Sequence, residues 1–299
     1  MHSTRKPVFV ALLIPVLLAM SACVADPRDQ DVPSDYVIEQ ADRSQMPPEI
    51  KAIYDSGHVT IGAKFDQPLT GLRDPATGRI EGFDAEIGRI LAQRIFGNAA
   101  EGENLFFVEA VPSKREQYLA DGTVDMVVAT YTMTDERRSQ VDFAGPYFVA
   151  GQSLMTRKGS DIKDVEDLAG KPVCAAEGST SLSNIAELVP SADISRPQRD
   201  YSSCRKGLLD GTYEAVTTDD AILYGYVNQD PEHLTVTKGT FTEEPYGIGL
   251  PKGSSGVRDF INDTLQMAFE NGDWAAAFSR TLEAGGVPVP DGVPDLDRY

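Results

Sequence analysis

The stretch LADGTVDMVVAT, residues 119–130, joins the end of a helix to a strand through the tight turn Asp-Gly-Thr. Its second half is almost continuously apolar, which is typical of a strand covered on both faces of a parallel sheet. A second copy of the arrangement, LDGTYEAVT, lies at residues 209–217. Because strands and helices alternate around both copies, the sequence predicts an α/β protein with two similar lobes.

Two extended segments rich in aromatic residues, glycine and proline, residues 142–154 and 241–250, separate the predicted lobes. Two crossings mean that the first lobe is completed after the second. We therefore expect two lobes, of which lobe 1 is discontinuous, followed by a tail on the surface. Their predicted ranges are residues 47–149 and 246–285 for lobe 1, residues 150–245 for lobe 2, and residues 286–299 for the tail.

The N-terminus has the pattern of an export signal. A short cationic start precedes an apolar run at residues 8–20, and Ser21-Ala22-Cys23 follows. The run is too short to span a bilayer easily, which takes about 20 residues, and small residues follow it as at a cleavage site. These residues resemble a bacterial lipobox. The resemblance implies a signal peptide at residues 1–22 and a lipid anchor on Cys23.

The segment at residues 23–46 is rich in Asp, Pro, Gln and Ser, and it is predicted to be a flexible tether. It would hold the globular body on the outer face of the cytoplasmic membrane. The alternative is an ordinary secreted protein with an unrelated cysteine at position 23. With Cys23 lipidated, the other two of the three cysteines, Cys174 and Cys204, predict a disulfide in an exported chain.

The charge balance excludes one class of partner. The 299 residues include 46 acidic and 27 basic side chains, for a formal net charge of −19. A phosphate backbone needs a basic face, so nucleic acid is an unfavourable partner. A small ligand remains possible, because a single site can be basic on an acidic protein.

Four motifs carry a family resemblance: Gly82-Phe-Asp-Ala-Glu, the segment at 125–137, Val141-Asp-Phe-Ala-Gly-Pro-Tyr147, and Ala215-Val-Thr-Thr-Asp-Asp220. With them, the chain resembles the polar amino-acid solute-binding proteins of ABC importers over residues 58–282. The resemblance implies a type II periplasmic-binding fold that closes around a free L-amino acid and delivers it to permease subunits. It also implies a monomer without cofactor or metal. The cysteine pair resembles that of glutamate-binding lipoproteins.

A free amino acid carries a carboxylate and an ammonium, and burying either without a partner is very costly. The resemblance assigns the α-carboxylate to Arg137, whose guanidinium can donate two parallel hydrogen bonds. It assigns the α-ammonium to Asp219, at the end of a strand of lobe 2, where ligands of α/β proteins bind. Asp219 is also a candidate helix N-cap, and Asp220 competes with it for either role.

Residues with hydroxyl groups complete the predicted site for the α-carboxylate and α-ammonium of the ligand. Thr130 and Thr132 are two residues apart and would face the same way on an extended chain. The family pattern places Thr180 against the α-carboxylate, opposite Arg137, with Ser181 beside it. Both lie at a predicted helix start, where free N–H groups attract anions. Ser179 or Ser181 is the predicted N-cap.

The side-chain pocket is predicted from Lys64, Gln67 and Arg115. Lys64 and Gln67 follow the first strand, and Lys64 and Arg115 match basic positions of aspartate- and glutamate-binding relatives. Two cations favour an acidic ligand, with glutamate first, then aspartate, glutamine and asparagine. The alternative is that both bases are ordinary surface residues.

Two other functions stay open. Metal-ligand spacings such as His-x-x-x-His or Cys-x-x-Cys are absent from the sequence, and Gly-Ser-Thr-Ser is not a hydrolase elbow. We therefore expect a binding protein and not an enzyme. A dehydratase of the same fold would need a general acid such as Asp66, Glu177 or Glu243. A sensor that signals to a membrane partner would share the same binding site.

Overall fold

The computed structural model describes residues 1–2 and 36–299. The predicted cleavage site, the predicted lipidation site Cys23 and the first part of the predicted tether lie outside these residues. In the part of the chain that is described, no helix combines the length and apolar character needed to cross a bilayer.

Helices and strands alternate through the described chain. The α-helices are α1 (Pro48–Ser56), α2 (Phe83–Phe96), α3 (Arg115–Ala120), α4 (Asp135–Arg138), α5 (Thr180–Leu188), α6 (Tyr201–Leu209), α7 (Asp220–Gln229), α8 (Ser255–Asn271) and α9 (Asp273–Phe278). The strands are β1 (Val59–Ala63), β2 (Asp66–Gln67), β3 (Gly71–Arg73), β4 (Ile80–Glu81), β5 (Leu105–Glu109), β6 (Met126–Val127), β7 (Asp142–Ala150), β8 (Gln152–Arg157), β9 (Val173–Cys174), β10 (Ala215–Asp219), β11 (Leu234–Val236) and β12 (Glu244–Leu250).

Lobe 1 is built on a five-stranded sheet in the order β5-β1-β6-β12-β7. Strand β1 is parallel to β5 and β6, whereas β12 is antiparallel to β6 and β7. The apolar run after the Asp-Gly-Thr turn forms only the short strand β6. Three residues beyond its end, Thr130 has a left-handed backbone with φ of 44°.

Lobe 2 is built on a four-stranded sheet in the order β11-β8-β10-β9. Strand β10 follows the second Asp-Gly-Thr turn, and it pairs parallel to β9 and antiparallel to β8. Both sheets are therefore mixed, and the predicted pair of α/β lobes is confirmed. The two connections between the lobes run through β7 and β12, which pair antiparallel with Glu244 opposite Ala150.

Each lobe has its own core. The largest cluster of buried apolar side chains lies mainly in lobe 1 and includes Ile61, Ile87 and Leu265. Separate clusters in lobe 2 surround Val216 and Ile185. The lobes can thus move as bodies about the two paired strands, because few core contacts would have to break.

The disulfide predicted from the cysteine count is present. Cys174 in β9 and Cys204 in α6 are bonded, with their Cα atoms 5.5 Å apart, and both are fully buried. The bond ties the strand that leads toward α5 to helix α6. In the chain-entropy model, a loop of this size contributes roughly 3.5 kcal/mol.

The tether prediction is wrong for residues 36–46. Tyr36, Ile38 and Met46 are buried and belong to the core cluster of lobe 1. The N–H groups of Val37 and Ile38 each donate to the Asp273 carboxylate, at 2.8 Å. The acceptor is more than 230 residues away, so composition alone did not reveal this docking. The C-terminal tail also lies along lobe 1, where the Asp297 N–H donates to the Gly145 carbonyl at 2.7 Å.

Removal of residues 36–46 is therefore expected to destabilise the body. A chain that begins at residue 47 should unfold with a free energy about 3 kcal/mol lower than one that begins at residue 36. Burial of Tyr36, Ile38 and Met46 contributes roughly 1.5–3 kcal/mol for each side chain, and the entropy cost of ordering the segment offsets part of that sum. Denaturant unfolding of the two chains measures the difference, and equal midpoints would show that the docked segment contributes no stability.

Candidate functional site

A small cavity lies between the lobes and brings most of the predicted site residues together. Its volume is about 10 Å³, close to that of a single water. Lobe 1 contributes Gln67, Pro112, Arg115, Thr130 and Arg137, and lobe 2 contributes Ser179, Thr180, Ser181, Tyr201, Thr218, Asp219 and Ile222. A groove of about 800 Å³ lies outside it and shares four lining residues with it, Pro112, Arg137, Ser179 and Thr180. An amino acid therefore enters only if the lobes separate.

Asp219 provides an anionic acceptor that lacks a full set of partners. It ends β10 and occupies the N-cap position of α7, but its side chain makes no capping hydrogen bond. The Tyr246 hydroxyl donates to its Oδ2 at 2.6 Å, whereas Oδ1 is buried without a partner among the described residues. Burial, and then the negative charge of Glu244, raises the pKa of Asp219 to about 8. A cation at Oδ1 would stabilise the charged form.

The contacts of Asp220 differ from those of Asp219. Its Oδ1 accepts from the N–H of Ala221 at 2.8 Å and from that of Gly151 at 3.4 Å. Asp220 thus serves the start of α7 and the crossing next to it. Asp219 alone of the two lines the cavity.

Arg137 faces Asp219 from lobe 1. Its Nη1 donates to the Thr132 carbonyl at 2.7 Å, and its Nη2 donates to the Gly178 carbonyl of lobe 2 at 3.1 Å. The guanidinium lies over the Tyr131 ring, with its carbon 4.9 Å from the ring centroid. Burial, and then the positive charge of Arg115, lowers the pKa of Arg137 to about 10. The Glu116 carboxylate lies 3.6 Å from its Nε, and the side chain stays cationic at neutral pH.

Thr130 and Thr132 do not face the same way. Thr130 lines the cavity and adopts the left-handed backbone, which is a genuine outlier for a β-branched residue. Three contacts hold it there: its N–H donates to Asp84 at 2.8 Å, its hydroxyl donates to Gln67 at 3.1 Å, and its carbonyl accepts from Arg115 at 3.3 Å. Thr132 is not among the lining residues, and its carbonyl holds Arg137.

The start of α5 forms the wall of lobe 2. Ser179 is the N-cap, since its Oγ accepts from the Leu182 N–H at 3.2 Å. The Thr180 hydroxyl donates to Glu244 at 3.0 Å, and the Ser181 hydroxyl donates to Thr218 at 3.4 Å. The hydroxyls are thus partly engaged, while the first helical N–H groups lack intrahelical acceptors.

Arg115 lines the cavity but is largely engaged by its own lobe. Its Nε donates to the Pro112 carbonyl at 3.3 Å, and its Nη1 donates to the Ala129 and Thr130 carbonyls. The guanidinium lies 4.1 Å from the centroid of the Tyr131 ring. Of its three nitrogens, Nη2 is left for a ligand.

Lys64 lies outside the cavity lining. It is wholly buried, and its Nζ lies 3.2 Å from Asp66 Oδ1. Its predicted partner, a ligand carboxylate, is thus replaced by a carboxylate of the protein two residues further on. Burial lowers the pKa of Lys64, and Asp66 opposes that shift.

Sequence reasoning missed five lining residues: Pro112, Ser179 (considered only as a cap), Tyr201, Thr218 and Ile222. Tyr201 begins α6 directly after Asp200, which caps that helix by accepting from the Ser203 N–H at 2.9 Å. An Asp followed by Tyr-Ser-Ser is a recognisable helix start. This signal indicates where the helix begins, but it does not indicate that the helix start faces lobe 1.

Comparison with known proteins agrees with this geometry. Residues 59–283 match the sequence model of the bacterial extracellular solute-binding proteins, family 3. The ABC transporter glutamine-binding protein GlnH of Bacillus subtilis is 37% identical over 245 residues, which are 82% of this chain and 88% of that protein. The glutamate-binding protein GluB of Corynebacterium efficiens is 32% identical over 251 residues, 81% of this chain and 85% of that protein.

A solved structure extends the likeness to the fold. The structure of an ancestral arginine-binding protein bound to glutamine is similar with a TM-score of 0.69 and 32% identity. The match covers 75% of this chain and 97% of the ancestral protein. The predicted type II periplasmic-binding fold is confirmed, and the protein belongs to the bacterial extracellular solute-binding proteins, family 3.

Proposed function

We propose that this protein captures a free polar amino acid between its lobes and delivers it to an ABC importer outside the cytoplasm. The observation that supports this most is that Arg137 and Asp219 line one cavity from opposite lobes, with Asp219 Oδ1 lacking a partner among the described residues. Buried charges are costly unless paired. The carboxylate of a zwitterionic amino acid would accept from Arg137, and its ammonium would donate to Asp219. The ligand would therefore contact both lobes.

The orientation of the ligand follows from these charges. The α-carboxylate would accept from Arg137 and from the first N–H groups of α5, which lie on opposite walls. The α-ammonium would donate to Asp219 Oδ1. Contacts with both lobes favour the closed form by differential affinity, which is sufficient to drive closure.

Glutamate is our first candidate, and glutamine is the second. The lining contains two guanidinium groups, Arg115 and Arg137, and one carboxylate, Asp219. After the two main-chain charges of the ligand are paired, Arg115 Nη2 remains for a side-chain oxygen. A γ-carboxylate balances this charge, and a γ-amide oxygen can also accept from it. The named glutamine- and glutamate-binding relatives support the same size of ligand.

Membrane attachment and partners complete the proposal. The lipid anchor on Cys23 and docking to permease subunits rest on the sequence pattern and on the family. The catalytic alternative has little support from the geometry, since Asp66 is engaged by lobe 2 and neither Glu177 nor Glu243 lines the cavity.

Isothermal calorimetry of the purified protein against single ligands tests the assignment. L-glutamate or L-glutamine should bind most tightly among the common amino acids. Glutarate lacks the ammonium and γ-aminobutyrate lacks the α-carboxylate, so both should bind at least about 100-fold more weakly than L-glutamate. Equal affinity for glutarate and glutamate, or no binding of any amino acid, would overturn the proposal.

A further inference from the structure

A buried ion pair lies where the lobes meet, outside the ligand cavity. Lys64 is fully buried, and the Asp66 side chain is 11% exposed. Lys64 Nζ and Asp66 Oδ1 are 3.2 Å apart without hydrogen-bond geometry, and within the described residues neither atom has a hydrogen-bond partner. The Lys64 charge is thus compensated mainly by Asp66.

The rest of Asp66 reaches across to lobe 2. Its Oδ2 accepts from the N–H groups of Tyr201 and Ser202, at 3.0 and 3.2 Å, and from the Tyr226 hydroxyl at 3.2 Å. Its carbonyl accepts from the same hydroxyl at 2.8 Å and from the Ser202 hydroxyl at 3.3 Å. All five bonds cross between lobes, so they exist only when the lobes are together.

The first turn of α6 connects this contact to the ligand cavity. Tyr201 donates its N–H to Asp66, and its side chain lines the cavity. The Tyr201 hydroxyl is buried and has no partner in the described part of the chain. Cys204, in the same turn, is bonded to Cys174 in the strand that leads to Ser179 and Thr180. Asp66 thus fixes a helix start that is joined to the wall of lobe 2.

We propose that Asp66, with Lys64 as its counter-ion, is an interlobe latch that sets the affinity for every ligand while the cavity residues choose among them. This inference rests on the proposed function. A contact present only in the closed form stabilises that form regardless of which ligand is bound. Its loss therefore lowers all apparent affinities by a common factor. A direct contact of Lys64 with a ligand carboxylate would instead lower the affinity for glutamate selectively.

Three variants break the latch in different ways: Asp66→Asn, Lys64→Met and Tyr226→Phe. Glu109→Gln is the control, because Glu109 of lobe 1 and Arg199 of lobe 2 form an exposed ion pair across the same junction, with side chains 33% and 60% exposed. An exposed pair contributes little. Asp66→Asn and Lys64→Met should each weaken both glutamate and glutamine about 30-fold or more. The ratio of the two affinities should stay within about threefold of that of the wild-type protein, and Glu109→Gln should bind as the wild type does.

Small-angle X-ray scattering provides a second measurement. Without ligand, the Asp66→Asn protein should have a larger radius of gyration than the wild type, and saturating glutamate should make both equally compact. Tyr226→Phe removes a single donor and should weaken both ligands about threefold to tenfold, which keeps the test valid if a charge variant fails to fold. Wild-type affinity in all three variants, or a loss confined to glutamate, would overturn the latch. If the wild type bound no amino acid, the proposed function would fail, and scattering would still test the latch.

Discussion

Replacement of Arg137 by alanine should weaken glutamate binding by about 100-fold or more, because it leaves a ligand carboxylate buried without its cation. The side chain is 9% exposed and holds the Thr132 and Gly178 carbonyls on the two lobes. Both the charge and the interlobe contact are lost together. Calorimetric titration with L-glutamate measures the change.

Two further variants distinguish the loss of the Arg137 side chain from the loss of any positive charge on helix α4. Arg138→Ala is the matched control, because the neighbouring Arg138 pairs with Asp297 at 2.6 Å and lies over the Tyr299 ring. We expect it to bind glutamate as the wild type does. Arg137→Lys keeps the charge but loses the two-pronged geometry, so its affinity should fall between those of the wild type and Arg137→Ala. If Arg137→Ala bound within threefold of the wild type, the carboxylate would have another partner.

The second large effect is expected from a residue that touches no ligand. Gly225 lies in α7 of lobe 2, and a Cβ added to it would lie 2.2 Å from the Pro68 carbonyl oxygen of lobe 1. Backbone on both sides leaves no flexible group to move aside. Gly225→Ala should therefore oppose closure and weaken all ligands by about tenfold or more. Alanine is a better helix former than glycine by about 1 kcal/mol, so the free protein should not become less stable.

This combination of weaker binding and undiminished stability identifies a block of closure. Gly292→Ala is the control, since a Cβ there meets nothing within 4 Å. Thermal unfolding without ligand and calorimetry with glutamate give the two readings. Unchanged affinity in Gly225→Ala would show that the lobes bind ligand without approaching as closely as they do here. A lower melting temperature would attribute the effect to a damaged helix.

The two-lobe architecture was accessible from local pattern. The repeated Asp-Gly-Thr turn and the extended segments around residues 142–154 and 241–250 predict two sheets and two crossings. Both follow from short-range periodicity. Strand β6 is shorter than the apolar run predicts. The left-handed backbone at Thr130, just beyond the strand, is held by Asp84, Gln67 and Arg115, all of which are far from it along the chain.

Four predicted site residues lie in motifs that fix their position along the chain. Arg137, Thr180, Ser181 and Asp219 all line the cavity. Lys64 was placed near the site by its sequence position, but its environment depends on Asp66 and on donors from α6 and α7 in the other lobe. The same reasoning explains the docked segment at residues 36–46, whose acceptor Asp273 lies near the other end of the chain. Contacts between distant segments determine which side chains are buried and which partners they have. Local sequence patterns do not predict such contacts.

The most direct test of the central claim is a crystal structure of the protein with L-glutamate bound. We expect a single glutamate between the lobes. Its α-carboxylate should lie within hydrogen-bond distance of Arg137, and its ammonium within hydrogen-bond distance of Asp219 Oδ1. A glutamate bound only in the outer groove, or one whose ammonium lies away from Asp219, would contradict it.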